Sequence, residues 1–287
     1  MKRDQLCVDT ICWSSFPVER ALEGIASTGI SRVELCASLG SCDHAAPESL
    51  GRDASEKLLG LLEKHGLTAV AYSGHTDLTT QEGMEAGLDR LQLAADMGIP
   101  LFITPMPPFF VDSPIKRQLT LPPTADPNAE EFAIENAVQL ADLAGKLGVE
   151  MCIEFGLWGF GRVTGQDYLA LLERMNRPTV RINFDAAAMT LFNEDALPTK
   201  DDISVLAPNL SHVHLCDRSS TELGKWDFCP IGEGAIDWDP LLTEFDRVGF
   251  TGHVSVELGW EVAPESPEIV DDAIRRSIAF VDKYFIF

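Results

Sequence analysis

The segment 211–218, Ser-His-Val-His-Leu-Cys-Asp-Arg, sets two histidines two residues apart. On a strand that spacing puts both imidazoles on one face. A neutral imidazole is a good nitrogen ligand for a divalent metal. Three carboxylates complete the chemistry: Glu154, Asp185 and Glu257. Each falls at or near the end of a short β-branched or aromatic run, as His214 does. In these runs Met151, Ile153 and Phe155 alternate with Glu150, Cys152 and Glu154, and Val180, Ile182 and Phe184 with Arg181, Asn183 and Asp185. Val213 and Leu215 alternate with His212, His214 and Cys216, and Val254, Val256 and Leu258 with His253, Ser255 and Glu257. The apolar sets require a packed face, which turns the polar sets the other way. Buried polar groups are costly unless paired or metal-bound. Glu154, Asp185, His214 and Glu257 follow one another at intervals of 31, 29 and 43 residues, about one βαβ unit each. Three carboxylates and one imidazole make a hard, oxygen-rich site for one divalent ion per chain. Mn²⁺ is expected first, with Mg²⁺, Co²⁺ or Zn²⁺ as other candidates. The competing reading of any single buried acid is an ion-pair network, with Arg181 and His212 as available partners. His212, one layer deeper than His214, is expected to be core or a support for the ligand.

Other candidates lie close by. Arg218, four residues after His214, could clamp a substrate hydroxyl or phosphate, or be a surface arginine. His75, just past a predicted strand, could contact substrate or move a proton. Trp13, Trp158, Trp226 and Trp260 all follow strands, where aromatic planes can stack on a sugar; at least one of them is expected to pack under its own loop instead.

The elements that must position these residues are punctuated by glycine. Helical patterns end in Gly, and a strand pattern begins within one to three residues, as in LLEKHG-LTAVAY and LAGKLG-VEMCIEF. Gly ends a helix in the left-handed conformation without a Cβ penalty. Strands are expected near 6–11, 32–36, 67–73, 101–104, 149–155, 180–185, 210–216 and 254–258, with helices between them. Thr79 with Glu82 and Thr164 with Asp167 have capping-box spacing, and Pro240 and Pro267 stand at expected first helical positions. Alternating strands and helices imply a parallel sheet. Eight such units in 287 residues predict an α/β fold, a closed (β/α)8 TIM barrel forming one domain over 1–287. An open doubly wound sheet is disfavoured because no Gly-rich dinucleotide fingerprint follows the first strand. The loops are lopsided: helix-to-strand turns are short, whereas 37–53, 106–127 and 217–238 are long. In a βα barrel the long loops rise from the C-terminal face, where active sites are built. The proline-rich 106–127 stretch reads as a lid, a subunit contact or a passive loop.

Composition excludes several classes. Lys+Arg 22 against Asp+Glu 45 leaves a net charge of −23, a surface that repels nucleic acid and anionic membranes. The first residues lack the apolar core of a signal peptide, and no apolar run is long enough to span a bilayer. Seven cysteines without a CxxC fit reduced thiols and a cytoplasmic location.

Taken in order, CIEFG, INFD, HVHLCDR, PIGEGAIDW and VSVELG resemble the xylose-isomerase-like TIM-barrel superfamily of sugar phosphate isomerases and epimerases, over essentially the whole chain. The resemblance implies that Glu154, Asp185, His214 and Glu257 bind the metal. It also implies that Glu154 and Glu257 flank the reacting carbon, one removing a proton and the other returning one. The expected activity is that of a metal-dependent sugar or sugar phosphate isomerase or epimerase working through an enediolate, with a small carbohydrate as partner and a homo-oligomer as a possible assembly. Two positions depart from many ketose epimerases: Ala188 stands where a histidine follows the aspartate, and Phe160 where an acid follows the first glutamate. The alternative is a dehydratase or lyase acting on a keto-sugar, keto-glycoside or inosose by β-elimination. Endonuclease IV shares the fold, but its histidine-rich three-zinc cluster and basic cleft do not match six histidines and this charge. A non-catalytic sugar-binding subunit is the remaining reading.

Overall fold

The computed structural model describes residues 1–106, 127–155, 164–191, 197–220, 228–259 and 263–286. Eight parallel strands close into a barrel: β1 (Leu6–Asp9), β2 (Arg32–Cys36), β3 (Thr68–Ser73), β4 (Leu101–Met106), β5 (Glu150–Phe155), β6 (Val180–Asp185), β7 (Leu210–Leu215) and β10 (His253–Val256). Each pairs with its neighbours in the chain, and β10 pairs with β1 to complete the ring. A two-residue hairpin, β8 (Asp217–Arg218) with β9 (Phe228–Cys229), stands just past β7. The helices are α1 (Val18–Ser27), α2 (Pro47–Leu50), α3 (Ala54–His65), α4 (Gln81–Asp96), α5 (Pro127–Leu147), α6 (Gly165–Met175), α7 (Ala186–Leu191), α8 (Lys200–Leu206), α9 (Trp238–Arg247) and α10 (Pro267–Val281).

Strand alternation divides two cores. Ile153, Ile182, Phe184, Val213, Leu215, Val254 and Val256 join the large apolar cluster shared with the helices. Ala71, Leu101, Ile103 and Cys152 make a small separate cluster, the apolar half of the barrel interior. Glu34, Asn183, His212, His214 and Ser255 are fully buried as well. The interior therefore carries an apolar cluster on the β3–β5 side and polar groups from β6, β7, β10, β1 and β2, joined by Ser73 of β3 and Glu154 of β5. A polar barrel interior holds only if its groups satisfy one another or a ligand.

Local chemistry sets most boundaries. Thr164 and Asp167 form the expected capping box of α6, and Gly66 ends α3 at φ +66. Three expectations shift. Thr80, not Thr79, caps α4 by accepting from the Gly83 amide at 3.0 Å; Thr79 bonds Asp77 instead. α9 starts at Trp238, so Pro240 is its third residue rather than its first. β1 stops at Asp9, because that carboxylate accepts from the Ile11 amide at 2.7 Å and starts a 3-10 turn over Thr10–Trp13. Among the described residues no helix is long and apolar enough to cross a membrane.

Candidate functional site

The register brings the candidate residues together. Asp185, the last residue of β6, pairs with His214 of β7, and Glu154 of β5 pairs with Asn183 of β6. Glu257 follows β10 directly, and its amide donates to the Leu215 carbonyl at 3.1 Å. His214 is at the centre. Its Nδ1 lies 2.7 Å from Glu257 Oε2 and 3.6 Å from Glu154 Oε2. Ligand atoms of Glu154, Asp185 and His214 all lie within 4.8 Å of one another, as do those of Asp185, Cys216 and Glu257.

The other face of His214 explains which nitrogen is available. Glu34, a fully buried residue of β2, reaches across the barrel interior. Its Oε1 is 2.9 Å from His214 Nε2 and its Oε2 is 2.8 Å from His212 Nε2. Ser73 Oγ donates to the same carboxylate. A carboxylate accepts, so both imidazoles carry their proton on Nε2 toward Glu34. In neutral His214 this leaves the Nδ1 lone pair facing the acids. Such a carboxylate–histidine pairing fixes the tautomer and raises the basicity of a metal-binding imidazole.

Charge follows geometry. Burial alone would lower His214, but Glu257 and Glu34 override it and hold the imidazole well above its ordinary value. Burial, then Glu257 and Glu154, push the Asp185 carboxyl well up. Burial, then Glu34 and Glu257, do the same to Asp9. Burial opposes ionisation of Glu34 and Glu154 too, but the histidines win: His214 and His212 pull Glu34 well down, and His75 and His214 pull Glu154 down. His75 Nε2 sits 2.9 Å from Glu154 Oε2. Asp185 uses one oxygen to accept from the Ala188 amide at 2.9 Å. The Cys216 thiol donates to Glu257 Oε2 at 3.1 Å.

This constellation fits a divalent cation. His214 Nδ1 is buried and has no hydrogen-bond partner, although Glu257 is so near. Acids this close repel one another, and a bound cation removes the repulsion. The donor set, three carboxylates and one imidazole, suits a hard to borderline dication.

Glu34 and Asp9 are the residues that parity in the last four strands does not reach. The same alternation marks them: Val33 and Leu35 pack outward while Glu34 and Cys36 turn in, and Leu6 and Val8 alternate with Cys7 and Asp9. His212, expected to be core or a support for the ligand, is fully buried and faces Glu34. Trp13 is a correction. Its indole is fully buried, donates to Asp271 Oδ1 at 3.0 Å and fills the space beside Gly24 of α1. The 3-10 turn after β1 points it into the helix layer, against Gly24 of α1 and Asp271 of α10. Arg218 is also fully buried, with its carbonyl accepting from the Ala235 amide at 2.7 Å. Beside it, Asp217 accepts from the amides of Arg218, Gly232, Gly234 and Ile236 and ties down the loop before α9. Trp158, Trp226 and Trp260, with Phe160 and the 106–127 loop beyond Met106, lie outside the described residues.

A family model described as a xylose isomerase-like TIM barrel matches residues 22–284. The chain belongs to that family. A ketose 3-epimerase from Arthrobacter globiformis is 29% identical over 203 residues, covering 68% of this chain. The match spans 65% of that relative's own length, just under two thirds. Among solved structures, the IolI protein with a bound zinc atom superposes with a TM-score of 0.75 at 18% identity, covering 100% of both chains. A probable 3-DHS dehydratase, AsbF from Bacillus anthracis, superposes with a TM-score of 0.68 at 16% identity, covering 98% of this chain and 99% of its own. At such identities the superpositions establish the shared barrel.

If Glu34 orients His214, removing its charge should weaken metal binding without unfolding the barrel. Glu34→Gln is expected to lower metal affinity by about 10–100-fold, the usual cost of losing such a partner. Competition against a chromophoric chelator measures it; an unchanged dissociation constant in a folded variant would count against the role.

Proposed function

We propose that this protein is a divalent-metal-dependent epimerase or isomerase of keto-sugars, acting by proton transfer next to the carbonyl. The observation that carries the reading is that carboxylate oxygens of Glu154 and Glu257 lie 3.6 and 2.7 Å from His214 Nδ1, with Asp185 within ligand reach. Glu154, Asp185, His214 and Glu257 would hold the ion, with Mn²⁺ first among Mn²⁺, Mg²⁺, Co²⁺ and Zn²⁺. Such an ion would supply Lewis-acid polarisation of the substrate carbonyl, which acidifies the C–H of the adjacent carbon.

The residues then divide the work. One of Glu154 and Glu257 takes the proton from the substrate carbon, and the other returns one on the opposite face. Glu154 is ionised, because His75 and His214 pull its pKa down against burial. A carboxylate in that state is ready to act as base. His75, held beside it, steadies that charge and can pass the proton onward. Arg218 remains a candidate for fixing a substrate hydroxyl from inside the pocket wall. Trp158 and Trp260 remain candidates for stacking on the sugar. The likeness to a ketose 3-epimerase supports a ketose as the substrate class.

A second reading rests on Ala188, which offers only its backbone amide, to Asp185, where many ketose epimerases carry a histidine. Without that side chain the same proton removal can end in β-elimination, and the barrel shared with AsbF accommodates a dehydratase. Solvent-deuterium exchange followed by NMR separates the two. Ketoses, sugar phosphates, 3-keto-glycosides and inososes are incubated with metal or with chelator. Metal-dependent exchange next to the carbonyl, with the carbon skeleton retained, is expected. Release of water or another β-substituent would establish the lyase instead, and no exchange in any compound would reject both.

A further inference from the structure

We propose that Cys36 and Cys42 are a modification site, a pair of thiols that a hydroperoxide converts into a reversible intrachain disulfide. The site is separate from the proposed proton-transfer chemistry and does not depend on it.

The backbone builds the pair. β2 ends on Cys36, whose carbonyl accepts from the Ala45 amide at 2.9 Å. Between them the chain makes a tight turn. Gly40 takes φ +78, and the amides of Ser41 and Cys42 both donate to the Ser38 carbonyl, at 3.0 and 2.9 Å. Only glycine adopts that dihedral without strain. The turn folds Cys42 back over the strand end, so that its Sγ lies 3.9 Å from the Cys36 carbonyl oxygen and its thiol meets the Cys36 thiol. The loop is anchored from outside as well. Tyr72 donates to the Ala45 carbonyl at 2.6 Å and Arg90 Nε to the Ala37 carbonyl at 2.9 Å. A turn that folds one cysteine back beside the other keeps the two sulfurs as neighbours, the first requirement of a disulfide.

A histidine completes the arrangement. His44 Nε2 is 2.8 Å from the Phe16 carbonyl oxygen. That oxygen only accepts, so Nε2 carries the proton and Nδ1 is left as a base. His44 Nδ1 is buried without a hydrogen-bond partner, and the ring lies against the Cys42 thiol. The two thiols differ accordingly. Burial would raise both, but Cys36 and His44 bring Cys42 down to about 6, while Cys36 is pushed well above its ordinary value. A thiolate beside an imidazole is the nucleophilic form, and the protonated neighbour is its resolving partner. Cys7, Cys12, Cys152 and Cys216 are buried and raised, and Cys229 is half-buried. The turn above the pair ends in exposed Leu39 and Gly40, so only a short loop separates Cys42 from solvent.

The chemistry balances. The Cys42 thiolate attacks one peroxide oxygen, the O–O bond breaks, and the departing oxygen takes a proton from His44. Cys42 is then a sulfenic acid. Cys36 sulfur attacks the Cys42 sulfur, the S–O bond breaks, and water leaves with the Cys36 proton. Two thiols are oxidised and one hydroperoxide is reduced to an alcohol, or to water when the oxidant is hydrogen peroxide. A dithiol reductant reverses it.

The test uses the full-length protein and hydrogen peroxide at neutral pH, followed by alkylation and peptide mapping without reductant. The expected result is loss of two alkylatable thiols and of two hydrogens in mass, with residues 36 and 42 linked, and recovery of both with dithiothreitol. Cys36→Ser should stop the reaction at a sulfenic acid on Cys42, trapped by dimedone, and Cys42→Ser should abolish both products. If Cys229 oxidises while Cys36 and Cys42 stay alkylatable, the proposal is overturned. It is also overturned if Cys36→Ser yields no dimedone adduct at Cys42. Mapping of the wild type decides the matter even where a variant fails to fold.

Discussion

Glu257→Gln and Glu154→Gln should each lower turnover by about 10²–10⁴-fold while leaving the barrel folded, the usual contribution of a positioned acid or base. Glutamine keeps the shape and an oxygen for the metal but cannot take a proton. Turnover is therefore compared at saturating metal, so that weaker binding does not masquerade as lost chemistry. The two variants should also fail differently. If each glutamate serves one face of the substrate carbon, a variant keeping the other still washes deuterium into one epimer and cannot invert it. Exchange without inversion, from opposite epimers in the two variants, is the diagnostic pattern. Near-normal inversion in both would sink the proposed roles. The neighbouring acid should respond as well. Burial and the charges of Glu257 and Glu154 raise Asp185, and like charges held this close disfavour ionisation. Removing one should bring the Asp185 pKa of the metal-free protein down toward its ordinary value, which NMR titration reads directly.

Much of this site is legible before folding because a strand has period two. His214 and Asp185 are placed by alternation against Val213, Leu215, Ile182 and Phe184, and those apolar residues do pack with the helices. What alternation cannot say is which buried groups meet across the barrel. Glu34 and His214 are 180 residues apart in the chain and belong to strands that are not neighbours. Their contact exists only because the sheet closes. The RVELC run marks Glu34 as inward-facing but names no partner. Trp13 fails for a different reason. A residue after a strand can face the mouth or the helices, and here the choice is made by one Asp9 side chain starting a 3-10 turn. The β8–β9 hairpin has strands of two residues, too short to carry any period. Fold and rim are written in repeating patterns; the supports of the site are written in single contacts.

Adding metal should raise the melting temperature, and the rise should grow with pH. His214 and His75 are held above the ordinary histidine value of 6.5, and Asp9 and Asp185 above the ordinary aspartate value of 3.8. A group whose pKa is raised on folding contributes stability that is fully present below its unfolded value. That contribution is lost as the pH climbs through the folded value. The metal-free protein should therefore weaken as the pH rises above the histidine value. Glu34 and Glu154 run the other way. Their lowered pKa values give stability present above the ordinary 4.5 and lost only in acid, so they stay constant through the neutral range. The metal reverses the balance, because it binds the deprotonated groups and needs His214 Nδ1 free of its proton. Each proton it displaces makes affinity rise up to about tenfold per pH unit below that group's pKa. With metal at about one hundred times its dissociation constant, the gain is ~2.7 kcal/mol. Thermal melts with Mn²⁺ and with chelator, taken over a pH window that starts at the ordinary histidine value of 6.5 and extends upward, read that rise. A metal-induced shift that stays flat or shrinks across that window would mean that the His214 proton is not the one displaced. The ion would then have to sit on the carboxylates alone, with His214 left as an imidazolium between Glu34 and Glu257.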